Sequence, residues 1–90
     1  MSTPDMHAFL AAFDALPLGW TQGEYAGTRW AATVTGGLGE PVRKLYAERL
    51  AGGDHVSFNL YTTARGAQLK PCEMPEAKVI DFVLGFAPDP

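Results

Sequence analysis

Ninety residues, 47% hydrophobic and 19% charged, describe one globular domain with a single two-layer core and no room for a separate catalytic lobe. The net charge of -3 disfavours a nucleic-acid partner, whose phosphates call for a basic surface. The lone cysteine excludes an intramolecular disulfide framework, and no apolar run approaches the roughly 20 residues that a membrane helix requires.

The chain opens on Met1-Ser2-Thr3-Pro4-Asp5, which lacks the basic and apolar regions of a signal peptide. A free thiol fits a reducing compartment, so cytoplasmic residence is the expectation. The first predicted element is a helix. Thr3 suits its N-cap, Pro4 its first position and Asp5 the positive end of its dipole. Met6, Phe9, Leu10, Phe13 and Leu16 recur at helical spacing as one apolar stripe, and Pro17 ends it. A hairpin follows, with Thr21–Tyr25 entering a turn at Ala26-Gly27 and Thr28–Val34 leaving it. This register sets Glu24 opposite Arg29. It gathers Tyr25, Trp30, Ala32 and Val34 on one face, with Arg29 and Thr33 on the other.

Residues 42–50 fit either a helix or a strand. The strand fits better, because Gly52-Gly53 reads as a two-residue turn into a clear strand, His55–Thr62. That turn pairs Leu45 with Leu60, Ala47 with Phe58 and Arg49 with Val56. On the other face it pairs Lys44 with Tyr61, Tyr46 with Asn59, Glu48 with Ser57 and Leu50 with His55. Gln68-Leu69-Lys70 is a short last strand. A final helix is expected from Pro75 to about Leu84, with Val79, Ile80, Val83 and Leu84 on its apolar side. Gly85 would be its left-handed cap, and Phe86 would fold back on its last turn. Residues 87–90 read as a frayed tail. The expected architecture is therefore one α+β domain over residues 1–90. It holds an antiparallel meander of four to five strands, with an N-terminal and a C-terminal helix on one face.

Few residue sets carry chemistry. His7 and His55 lie on different elements, and neither Cys-x-x-Cys nor His-Glu-x-x-His occurs, so no metal and no cofactor is expected. Gly36-Gly37-Leu38-Gly39 lacks the Gly-Lys-Ser/Thr of a phosphate loop and reads as a mobile connection. His55, Ser57 and Glu48 would meet on one strand face, but a flat strand offers no oxyanion donors. The polar sheet face is the better candidate, and Tyr46, Glu48, His55, Asn59 and Tyr61 are its expected contact residues. Tyrosine and asparagine together supply contact area and hydrogen bonds. Asn59 stands out because asparagine is disfavoured in strands. Cys72, ahead of a helix start with Lys70 nearby, is either an activated thiol or a small buried side chain at a joint stiffened by Pro71 and Pro75.

Five strings, Gly19-Trp20, Lys44-Leu45-Tyr46-Ala47-Glu48, Gly52-Gly53-Asp54, Ser57-Phe58-Asn59-Leu60-Tyr61 and Lys70-Pro71-Cys72-Glu73-Met74-Pro75 with Lys78-Val79, span most of the chain from Gly19 to Phe82. In these the chain resembles a family of small uncharacterised bacterial α+β proteins. Some look-alikes carry a methionine sulfoxide reductase label. This chain has neither the Gly-Cys-Phe-Trp motif of one reductase class nor the paired Cys-x-x-Cys motifs of the other. The resemblance implies roles for Cys72 and Asn59 without naming a reaction.

Three classes of function follow. The first is a non-catalytic binding module that takes a protein or small-molecule ligand on the polar sheet face. The second is a thiol-dependent, redox-type enzyme acting through Cys72. The third is a structural homodimer joined edge to edge through an unpaired strand.

Overall fold

The computed structural model describes residues 6–90. The proposed cap residues Thr3, Pro4 and Asp5 lie outside them. Helix α1 (Met6–Ala15) leads into strands β1 (Gly19–Tyr25), β2 (Thr28–Thr35), β3 (Val42–Arg49), β4 (His55–Thr63) and β5 (Gly66–Pro71). Helix α2 (Glu76–Gly85) and a two-residue strand β6 (Ala87–Pro88) follow. The strands form one antiparallel sheet in the order β5-β4-β3-β2-β1-β6. The α+β class and both helices agree with the sequence; the sheet has one strand more than expected.

Residues 42–49 are a strand because their alternation is strict. Arg43, Leu45 and Ala47 are buried, while Val42, Lys44, Tyr46 and Glu48 are exposed. A helix would scatter those positions around its axis. Both helices cover one sheet face. Phe9, Phe13 and Leu16 of α1 and its exit, and Val79, Ile80, Phe82 and Val83 of α2, close over Trp30, Ala32, Val34, Leu45, Ala47, Val56, Phe58 and Leu60. Phe82, not Leu84, completes the buried side of α2; Leu84 is 47% exposed. Positions 79, 82, 83 and 86 share one helical stripe, and the Phe82 ring meets Tyr25, Trp30 and Phe86 at 4.9–5.0 Å between centroids. Tyr25 is partly buried in this cluster, and desolvation raises its phenol above the ordinary tyrosine range.

Gly85 is not a left-handed cap. It closes the helix itself, and a Cβ there would meet the Tyr25 ring at 3.0 Å. Close approach of helix and sheet is its role. Phe86 turns back as expected, with its N–H on Phe82 C=O at 2.8 Å and its ring stacked on Phe82.

The tail is a strand rather than a frayed end. Ala87 and Pro88 pair with Glu24 and Gly23, and Asp89 N–H donates to Gln22 C=O at 2.9 Å. Gly23 makes this approach possible, since a Cβ there would collide with the Ala87 carbonyl and lie 2.8 Å from Pro88 Cα. The Arg29 guanidinium then grips both oxygens of Asp89, one of them at 2.9 Å. Arg29 holds the Asp89 carboxyl below the usual carboxylate range, and the Lys78 ammonium, 2.6 Å away, does the same for Asp54. A carboxyl whose folded pKa is depressed stabilises the fold above its unfolded value of about 3.9 and loses that contribution as pH falls through the folded one. The β6 strap is therefore expected to loosen in acid and hold at neutral pH. Amide exchange at Ala87 and Asp89 should accelerate below about pH 4, relative to the core strands. Asp89→Asn should give the fast exchange already at neutral pH. Rates that follow the core amides at every pH would refute the strap's dependence on this ion pair.

Candidate functional site

The face opposite the helices is open. In the β3–β4 hairpin, Tyr46 stands opposite Ser57, Glu48 opposite His55 and Lys44 opposite Asn59. The pairing expected from a two-residue Gly52-Gly53 turn is therefore displaced by two residues throughout. Arg49 N–H donates to Asp54 C=O and Gly52 N–H to Arg49 C=O, which closes a longer loop with both glycines at positive φ. Arg49 Nε fastens on Gly52 C=O, and the Asp54 carboxylate accepts His55 N–H. A displacement of two keeps each side chain on its face, so the predicted faces stand while the predicted partners change. The Asp54 carboxylate also accepts from the Lys78 ammonium of α2 at 2.6 Å, which ties this loop to the helix.

The ladders order the open face into rows. One row runs Trp20–Thr33–Tyr46–Ser57, and Cys72 extends it, since Cys72 N–H donates to Ser57 C=O at 3.0 Å. The row on one side is Gln22–Ala31–Glu48–His55. On the other side it is Thr35–Lys44–Asn59–Lys70, and beyond that Val42–Tyr61–Gln68. The five predicted contact residues, Tyr46, Glu48, His55, Asn59 and Tyr61, thus share one surface. Tyr46 and His55 also stack, with centroids 6.3 Å apart and planes 26° from parallel.

Sequence reasoning missed Trp20. It is 64% exposed and lies two strands from Tyr46, which is 44% exposed. Val42 and Leu50 are similarly open, and Leu50 continues the alternation by donating its N–H to Arg29 C=O. Four of the seven large hydrophobic side chains exposed among the described residues therefore lie on this face. Strand alternation from Gly19 would have placed Trp20 there, but a large aromatic side chain reads as core until the register is known.

The proposed Ser57-His55-Glu48 set does not assemble in that order. Glu48 faces His55, while Ser57 is buried between Tyr46 and the Cys72 position. A buried mid-strand hydroxyl is closed to a substrate. Cys72 is half-buried in the bend after β5, and Glu73 beside it takes the left-handed conformation, φ 59°. Among the described residues, no group of three or more histidine, cysteine, aspartate or glutamate side chains is placed to hold a metal ion, and no helix is long and apolar enough to cross a membrane. No protein family, curated protein or solved structure matches the chain.

Proposed function

We propose that this chain is a non-catalytic recognition module that docks a protein surface on its open sheet face. The exposed Trp20–Tyr46 row carries the reading. Tryptophan and tyrosine dominate the energetics of protein interfaces, and leaving both in water on a face otherwise rich in polar side chains is the pattern of anchors awaiting a partner. Glu48, His55, Asn59 and Tyr61 surround the anchors with hydrogen-bonding groups, as at a polar interface rim. A flat sheet surface suits a protein rather than a small molecule, because small-molecule sites are concave.

A photo-crosslinking residue at position 46 is expected to capture a protein partner in cells about tenfold better than one at position 84, on the solvent side of α2. Trp20→Ala combined with Asn59→Ala and Tyr61→Ala should abolish that capture while leaving the melting transition in place. Equal capture from both positions would overturn the reading.

A further inference from the structure

We propose that the partner of this face is a second copy of the chain, packed face to face about a two-fold axis that crosses β3 at Tyr46, with Lys44 of each copy against Glu48 of the other. The inference rests on the docking reading above and gives the partner an identity.

The arrangement of charge on β3 carries it. Lys44, Tyr46 and Glu48 are successive exposed positions on one strand, so the two opposite charges flank Tyr46 at about 6.6 Å on either side. Neither has an ion-pair partner among the described residues. A two-fold axis parallel to the sheets, midway between them and perpendicular to β3, lays each Lys44 over the other copy's Glu48, twice in one interface. Packed sheets lie about 10 Å apart, a gap that a lysine and a glutamate side chain reach across together. An axis along β3 would instead set Lys44 on Lys44 and Glu48 on Glu48. Charge alone therefore selects one orientation of the two.

The same operation matches the remaining rows. Val42 and Leu50 each lie four residues from Tyr46, at 50% and 47% exposure, and fall on one another, so two exposed apolar groups cover each other. Asn59 falls on His55, and Thr35 on Ala31. No like charges meet along β2, β3 or β4. Thr33, beside Tyr46 on β2, is small and only partly buried, so the other copy's ring can lie on that side of the first. β3 has two strands on one side and three on the other, so the roughly 30° rotation between packed sheets displaces its pairs least. Five strands of six to nine residues present roughly 600 Å² of flat area. With side-chain relief this is comparable to the ~800 Å² per partner of a standard stable interface.

Sedimentation of the purified chain over a wide concentration range, with charge reversals, tests the proposal. The native chain is expected to be a dimer. Lys44→Glu and Glu48→Lys should each weaken self-association about 100-fold, because each sets like charges together twice. The two variants mixed should form a heterodimer of native affinity, since every contact is again of opposite sign. The double reversal in one chain should also dimerise. All substitutions are on exposed positions, and unchanged circular dichroism confirms the fold. A native chain that stays monomeric, single reversals that leave the dimer intact, or a mixture that fails to associate would each overturn the proposal. If the chain is monomeric while position 46 captures a different protein, this inference falls and the docking reading stands. If position 46 captures nothing, both fall.

Discussion

Phe58→Ala is expected to lower the stability of the fold by about 3–5 kcal/mol, the range for removing a buried phenylalanine ring from a core. Phe58 is fully buried on the central part of β4. It stands opposite Leu45 of β3 on one side and Pro71 of β5 on the other. Its ring lies 5.6 Å from Phe9 and 5.1 Å from Phe13, both edge-on or tilted, which is the favoured aromatic geometry. The ring therefore joins α1 to three strands, and its loss leaves a cavity bounded by elements that cannot all collapse inward. Against a total stability of about 5–15 kcal/mol for a domain of this kind, that loss is a large fraction. Urea unfolding should show a lower midpoint at an unchanged slope. Phe58→Leu should be much milder, because most of the volume is kept. A loss below about 1 kcal/mol for the alanine variant would mean that α1 is not docked on this ring.

The same residue shows how much was legible beforehand. Period-two alternation assigned Phe58 to the covered face and Tyr46, Glu48, Asn59 and Tyr61 to the open one, because a face is fixed by parity alone. Its partner was not legible. Whether Phe58 opposes Ala47 or Leu45 depends on how many residues the Leu50–Asp54 loop consumes, and two adjacent glycines are compatible with more than one loop length. The Ala26-Gly27 turn was less ambiguous. Both residues take positive φ, as a two-residue turn demands, and Glu24 opposes Arg29 as read. The sixth strand had no local signature, since a short proline-containing tail looks unstructured. It pairs because Phe86 is buried beneath it, Gly23 leaves space and Arg29 holds Asp89. These are tertiary causes that no window of sequence contains. Trp20 escaped for a related reason: hydrophobicity argues for burial, and only the completed ladder places it in water.

Asp14→Ala is expected to destabilise the fold by about 2–3 kcal/mol, through a residue that sequence reading left unremarked. Arg43 lies on the covered face of β3 and is only 6% exposed. Its guanidinium bonds the Asp14 carboxylate at the end of α1, its Nε donates to Gly36 C=O at 3.0 Å, and its charge sits 4.4 Å over the Phe13 ring. Removing the carboxylate leaves a nearly buried cation with a carbonyl and a ring face but no anion. Breaking one side of a fully buried pair costs about 3–5 kcal/mol. The lower figure applies here because the Asp14 side chain is 42% exposed, so water partly compensates. Replacing the cation as well should recover most of the loss. Arg43→Met keeps the long apolar stem against Phe13 and removes the stranded charge, so Asp14→Ala with Arg43→Met should be more stable than Asp14→Ala alone. A double-mutant cycle in urea measures the coupling directly. If the double variant is no more stable than Asp14→Ala, the cost lies in the helix end rather than in the uncompensated charge. The tie between α1 and the sheet would then rest on apolar packing, with Phe9 and Phe13 against Phe58 at its centre.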